Sequence, residues 1–270
     1  MTERERRSGN ERRSESPQET HTRLERLIEE RTAQLQASEE KLLERVQVSE
    51  KARKAMLYML EDLNESEKAL LTSHSHLKKA LEGTITAISK AVEARDPYTA
   101  GHQRRVADLA VAIAGEIGCS EDMIEGILLG ASIHDIGKIH MPAEILSKPA
   151  KLTDLEYQLI QNHAQIGYDI LQEIDFPWPI ADIAHQHHEH LDGSGYPQGL
   201  KGEEICLEAR IVAVADTVEA MASHRPYRPS LGIDMALDEL KQSRGVLYDP
   251  VVVDACLKIF LEKSYTLKDQ

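Results

Sequence analysis

The sequence predicts an all-α protein, and three observations carry that expectation. Apolar residues recur at three- and four-residue steps through most of the chain, and no stretch shows a convincing alternation. Aromatic residues make up only 4% of the chain, so the core is expected to be aliphatic. The predicted architecture is a compact helical bundle preceded by one long N-terminal helix.

The elements follow in order. Residues 1–20 contain no large apolar residue beyond Met1 and balance five Arg against five Glu, which predicts a disordered tail. Residues 21–82 are free of Gly and Pro. Steps of seven from Ile28 reach Leu35, Leu42, Ser49, Met56, Leu63, Leu70 and Leu77, all apolar except Ser49. The second seam position is less regular, with Leu24, Ala52 and Met59 in one phase and Val46, Leu60 and Leu81 in the other. This pattern predicts a long, imperfect coiled coil and hence a parallel homodimer. Gly83 and the turn at Arg95–Pro97 bracket a connecting helix bearing Ile85, Ile88 and Val92.

A compact domain is expected over 83–262, with a short tail at 263–270. Val106, Leu109, Ala110, Ile113 and Ile117 form its first stripe, stopped by Gly118. Ser120 suits the cap of the next helix, whose stripe is Ile124, Ile127, Leu128 and Ala131. Thr153 and Glu156 form a capping box for a third. Pro179 suits the first turn of a fourth, with Ile180, Ile183 and Ala184. Residues 207–222 are nearly all apolar and predict a central helix, and Val251–Phe260 supplies the last. A short hairpin is left open around 191–205.

Seven side chains of metal-ligand type lie on or beside these stripes: His102, His134, Asp135, His163, His187, His188 and Asp216. His102 precedes Val106 by one turn, and His134–Asp135 continue the 124–131 stripe at its end. His163 follows Leu155 and Leu159 in phase, His187 extends the 180–184 stripe, and Asp216 interrupts an apolar run. Imidazoles and carboxylates turned into a core are costly unless something compensates them. A cluster of divalent ions compensates all of them together. Mixed nitrogen and oxygen donors suit Fe, Mn, Zn, Co or Ni rather than Mg or Ca alone. Asp135 is the carboxylate best placed to bridge two ions. His187 and His188, adjacent on a helix, are expected to point about 100° apart, which leaves two readings: they serve different ions, or one of them supports the other without touching an ion.

These residues sit inside long motifs: RDPYTAGHQRRV at 95–106, HDIGKIHMPAEILSKP at 134–149, NHAQIGYDIL at 162–171, HHEHLDGSGYP at 187–197 and ADTVEAMASHRPYRP at 215–229. Together they resemble the HD-GYP subfamily of HD-domain metal-dependent phosphohydrolases, over roughly residues 80–262. The resemblance implies an HD-domain helical bundle, a centre of two or three divalent ions (Fe or Mn), and hydrolysis of cyclic di-GMP to pGpG or GMP. The seven ligands match the family's positions one for one. A third ion in the family uses an acidic residue upstream of the first histidine; Glu93 and Asp96 lie nearby, and neither is assigned that role. His190 stands where the family commonly has Arg.

Bound ions of this kind would activate water toward phosphorus. Lys138, one turn after His134, is expected to offer an ammonium to the scissile phosphate. Arg225, Tyr227 and Arg228 are expected to hold the second phosphate or stack on a guanine. Gly195, Tyr196 and Pro197 shape the pocket by the resemblance and suggest a contact with a diguanylate cyclase; an upstream sensor is a further expected partner. Two alternatives stay open: hydrolysis of 3′,3′-cyclic GMP-AMP, and a non-catalytic effector signalling through the coiled coil.

The formal net charge of −14 argues against binding DNA or an anionic membrane surface. Cys119, Cys206 and Cys256 are odd in number and lack a CxxC spacing, which predicts reduced thiols and a cytoplasmic location. No apolar run has the length of a membrane span or a signal peptide.

Overall fold

A computed structural model describes residues 16–95, 101–148, 150–223 and 230–267. Among them there is no strand. In chain order the helices are α1 (Pro17–Glu93), α2 (His102–Ile117), α3 (Glu121–Ile133), α4 (Ala143–Leu146), α5 (Asp154–Leu171), α6 (Ile180–Gln186), α7 (Leu207–Ala222), α8 (Ile233–Ser243) and α9 (Pro250–Leu261). Two 3-10 turns, Ile136–His140 and Gly202–Glu204, complete the set. No helix among the described residues is long and apolar enough to cross a membrane.

Contacts divide the chain into two units, Met1–Ser75 and His76–Gln270. The first is helix in its described part, and its seam side chains Ile28, Leu35, Leu42, Met56, Leu63 and Leu70 are all exposed. α1 begins at Pro17, inside the tail expected through residue 20. Ser16 and Glu19 form a reciprocal cap, Glu19 N–H donating to Ser16 Oγ at 3.3 Å and Ser16 N–H to Glu19 Oε2 at 2.9 Å. Pro17 occupies the first helical position, where its missing N–H costs nothing. The first fifteen residues of that expected tail lie outside the described residues.

Gly83 does not break α1. One glycine costs about 1 kcal/mol against alanine in a helix interior, and Ile85 and Val92 beyond it are buried in the second unit. That unit has two apolar cores. Leu109, Ile113, Ile127, Ile211, Leu240 and Val252 represent the larger, formed by α2, α3, α7, α8 and α9. The smaller joins the end of α1 to α3, α5 and α6 through Ile85, Val92, Leu129, Ile133, Leu171 and Ile180, with Trp178 packed against it. α3 contributes to both, which fixes its C-terminal end, where His134 and Asp135 follow.

The expected caps form: Ser120 Oγ accepts from Met123 N–H at 3.2 Å, and Thr153 with Glu156 makes the capping box of α5. Pro179 stands just before α6 at its cap rather than inside its first turn. α8 has no counterpart in the expected elements. It is short, its cap position is Gly232, and only Ala236, Leu237 and Leu240 are buried. Residues 191–205 form turns and no hairpin, because a buried carboxylate, described below, binds the amides a hairpin would use.

Candidate metal centre

The ends of three helices and the middles of two others meet at one buried point. His102 is the first residue of α2, His134 and Asp135 follow α3, His163 lies on α5, and His187 and His188 follow α6. All are buried or nearly so. Asp216, in the third turn of α7, keeps 16% of its side chain exposed beside them.

Asp135 lies between two groups of donors. Its Oδ1 is 3.3 Å from His163 Nε2 and 3.9 Å from His187 Nε2. Its Oδ2 is 3.5 Å from His134 Nε2 and 3.8 Å from His102 Nε2. Asp135, His163, His187 and His188 form one set whose donor atoms lie within 4.8 Å of one another; His102, His134 and Asp135 form the other. Asp216 stands at the second set, with Oδ1 3.2 Å from His102 Nε2.

His187 and His188 do not diverge by a helical step. α6 ends at Gln186, and the two rings just beyond it lie 4.1 Å apart between centroids. Lys138, on the 3-10 turn after Asp135, donates from Nζ to Asp135 Oδ2 at 2.6 Å. Gly137 lets that turn approach α5, since a Cβ there would lie 1.9 Å from the His163 carbonyl oxygen. This close approach explains the glycine of HDIGK.

The direction of each ring is set locally. Nδ1 of His134 donates to Ala131 O at 2.7 Å, Nδ1 of His163 to Ile160 O at 2.6 Å, and Nδ1 of His187 to Ala184 O at 2.8 Å. A carbonyl only accepts, so each Nδ1 carries the proton and each Nε2 presents a lone pair to the interior. The Nε2 atoms of His163 and His187 face each other at 3.3 Å. His134 Nε2 and Asp135 Oδ1 are buried without a hydrogen-bond partner. Lone pairs facing one another around a shared carboxylate are poorly satisfied by protein alone. They fit divalent transition ions with mixed nitrogen and oxygen ligands.

The electrostatics agree. Burial lowers His163 to about 4 and His188 to about 3, and drives His187 well below its usual value, with neighbouring imidazoles adding to the effect for His187 and His188. Burial opposes ionisation of Asp135, but Lys138 and the imidazoles of His134, His163 and His102 more than offset it and hold the carboxyl well below its usual range. Burial also opposes a charge on His102. Hydrogen bonds to Asp216 and Glu219 overcome it and raise His102 to about 9.

An acid-sensitive apoprotein follows. His163 and His188 are depressed below the unfolded value of about 6.5, so the unfolded chain binds more protons as pH falls. Their stabilisation is complete above pH 6.5 and is lost on the way down to about 4 and about 3. Each is expected to cost about 1–2 kcal/mol by pH 5. His102, raised to about 9, acts oppositely, and its contribution fades only as pH rises from 6.5 towards 9. Calorimetry in chelator should show the melting temperature falling from pH 7 to pH 5; a flat profile would contradict buried neutral imidazoles.

Three carboxylates that the motifs did not single out support the centre. Glu219, fully buried one turn beyond Asp216, bonds His102 Nδ1 and accepts from Arg105 Nε at 2.8 Å and from Ser223 Oγ at 2.7 Å. An acid at i+3 from Asp216 in an apolar helix was the available signal. Glu189, also buried, accepts from Gln198, Gly199 and Leu200 N–H at 2.6, 3.1 and 3.0 Å and gathers the following loop. Glu93 accepts from Gly101 and Gln103 N–H at 3.1 and 3.3 Å.

The loop gathered by Glu189 carries Gly195, Tyr196 and Pro197. A Cβ at Gly195 would lie 2.4 Å from His190 N, so only glycine allows the loop to lie on the His188–His190 backbone. Tyr196 N–H donates to His188 O at 3.2 Å, and its ring stacks on His188 at 4.7 Å. The Tyr196–Pro197 peptide is cis. His190 bonds Ser194 Oγ at 3.0 Å and meets Tyr248 edge-on. Asp96, Arg225, Tyr227 and Arg228 lie outside the described residues.

Comparison with known proteins adds four findings. The family model described as HD domain matches residues 86–252, more than half of the chain. The cyclic di-GMP phosphodiesterase response regulator RpfG of Xanthomonas campestris pv. campestris is 42% identical over 194 residues, covering 71% of this chain and 51% of the relative. The 3′3′-cGAMP-specific phosphodiesterase 3 of Vibrio cholerae is 39% identical over 188 residues, covering 69% and 41%. The chain thus spans about half the length of the curated relatives it matches. An HDG"Y"P protein from Bdellovibrio bacteriovorus shares the fold at a TM-score of 0.50 and 21% identity, covering 59% of this chain and 51% of that one. With matched motif, helical fold and clustered histidines in agreement, the chain belongs to the HD-domain family.

Proposed function

We propose that this chain is a metal-dependent phosphodiesterase of the HD-GYP type, hydrolysing cyclic di-GMP to pGpG, GMP or both. The observation that carries the reading is Asp135, whose two oxygens face two separate sets of buried imidazoles. That arrangement supports two divalent ions, iron or manganese, held by His102, His134, Asp135, His163, His187, His188 and Asp216. Glu93 is engaged by backbone amides and is not proposed as a ligand; metal analysis decides between two ions and three. Such ions, when bound, supply Lewis acidity and a water of lowered pKa.

The chain's own groups do the rest. Lys138, partly exposed next to the buried carboxylate, offers its ammonium to a non-bridging phosphate oxygen. In a chain of net charge −14, a local cation is what an anionic substrate requires. Tyr196, held against His188, forms one wall of the substrate site with Gly195 and Pro197. Arg225, Tyr227 and Arg228 are proposed to take the second phosphate and a guanine. Residues 83–262 form the catalytic domain, in a cytoplasmic protein whose three cysteines are unpaired.

The test is anaerobic purification with metal analysis, then turnover of cyclic di-GMP and 3′,3′-cyclic GMP-AMP side by side. Release of pGpG or GMP that chelator stops supports the reading. Undiminished activity in chelator, or no product from metal-loaded protein, overturns it. The name of the Vibrio relative favours cyclic GMP-AMP as the second reading, and faster turnover of that substrate would replace the first. Tight binding of either dinucleotide without product would instead indicate a non-catalytic effector.

Lys138→Ala is expected to lower turnover ~100-fold while metal content stays at the wild-type level. Equal losses of both would make Lys138 a structural residue. The exposed heptad seam is proposed to pair two chains in parallel, relaying input from a sensor or a diguanylate cyclase. Light scattering at micromolar concentration should report a dimer, and Leu42→Glu with Leu63→Glu should report a monomer. A wild-type monomer would end that proposal.

A further inference from the structure

The end of α1 holds two sides of the metal centre without supplying a ligand to it. α2 begins at Gly101, which has a φ of 71° and no side chain to cap the helix. The first turn of a helix leaves its N–H groups without intrahelical partners. Here the half-buried Glu93 carboxylate accepts from Gly101 N–H with one oxygen and from Gln103 N–H with the other, on either side of His102. A negative charge at this place also suits the positive end of the α2 dipole. One turn earlier on α1, buried Ser89 hydrogen-bonds the buried side chain of Gln103. Two residues after Glu93, the Arg95 guanidinium donates to the carbonyls of Ile139 and Met141, the latter at 3.2 Å. Those carbonyls end the 3-10 turn that presents Lys138.

We infer that Glu93 and Arg95 are positioning residues for the reaction: Glu93 sets the place of His102 by capping its helix from outside, and Arg95 sets the turn that carries Lys138. For turnover this rests on the phosphodiesterase reading; for metal affinity it stands independently. A weakly capped first turn frays, and His102 is its first residue. Loosening the cap therefore weakens the donor set at His102, His134 and Asp135 while leaving both apolar cores in place. Loosening the Arg95 contact displaces Lys138, while the imidazoles stay held by their own carbonyls.

The test uses the full chain. Mn(II) affinity of the metal-free protein is measured from free Mn(II) by electron paramagnetic resonance. Helical circular dichroism, melting temperature and the fluorescence of Trp178, the chain's one tryptophan, report the fold and the smaller core. Glu93→Ala should weaken Mn(II) binding about tenfold with melting temperature and fluorescence near wild type. Glu93→Gln, whose amide oxygen still accepts, should restore part of it. Lys90→Ala on the same turn should bind Mn(II) as wild type does. Arg95→Ala should keep Mn(II) affinity within about twofold and lower cyclic di-GMP turnover about tenfold.

Unchanged affinity in Glu93→Ala overturns the assignment. So does a loss that Gln fails to rescue, or one that tracks a fall in melting temperature. For Arg95, loss of affinity equal to the loss of turnover overturns its half. If metal-loaded wild type hydrolyses neither cyclic dinucleotide, the phosphodiesterase reading fails, and the affinity measurements still decide the role of Glu93.

Discussion

Asp135→Asn should reduce cyclic di-GMP hydrolysis at least ~1000-fold, equivalent to about 4 kcal/mol of barrier. The substitution preserves shape and removes the one charge shared by both sets of imidazoles. A side-chain amide offers one oxygen and an NH2 group with no lone pair for a cation, so it cannot serve ions on both sides. Metal analysis should show loss of at least one ion per chain, and Lys138 loses its partner at 2.6 Å. Helical circular dichroism should persist, because both apolar cores are built without Asp135. Wild-type turnover from the purified variant with its metal retained would refute the assigned centre.

Glu219→Ala should be the most destabilising single change near the centre. The carboxylate is fully buried, and its removal takes an ion-pair partner from the Arg105 guanidinium and a hydrogen-bond partner from the Nδ1 of His102 together. Breaking a buried pair by deleting one partner costs about 3–5 kcal/mol, and losing the partner of a ligand imidazole weakens metal binding about 10–100-fold. Chemical denaturation and metal titration should both move. Glu219→Gln, which keeps the volume and one acceptor, should fall between Ala and wild type. A stability loss below about 1 kcal/mol in Glu219→Ala would show that neither Arg105 nor His102 depends on this carboxylate.

Most of the side chains gathered at the candidate centre were legible because they precede, interrupt or continue an apolar stripe. His102 is one turn from buried Val106, whereas Leu155 and Leu159, with which the sequence phases His163, are exposed, and His163 shares its inward face with Gly167 and Leu171 instead. The helix caps at Ser120 and Thr153 were legible for the same local reason. Glu219 and Glu93 were not, because what they bond is remote or featureless in sequence. Glu219 meets a histidine 117 positions away, and Glu93 meets backbone amides, which every residue carries. The divergence expected of His187 and His188 assumed that the helix continues; α6 stops one residue sooner, and the two rings converge. The break expected at Gly83 weighed one residue's propensity and left out the burial of Ile85 and Val92 that outweighs it. Glu189 stood inside the HHE motif, yet its task emerges only when the loop at 198–200 folds back on it.

The carbonyl three residues behind His134, His163 and His187 steers each ring by a bond entirely within its own segment. Ring orientation is thus set within each segment by its own backbone, so filling the proposed metal centre would need little reorganisation of these three side chains.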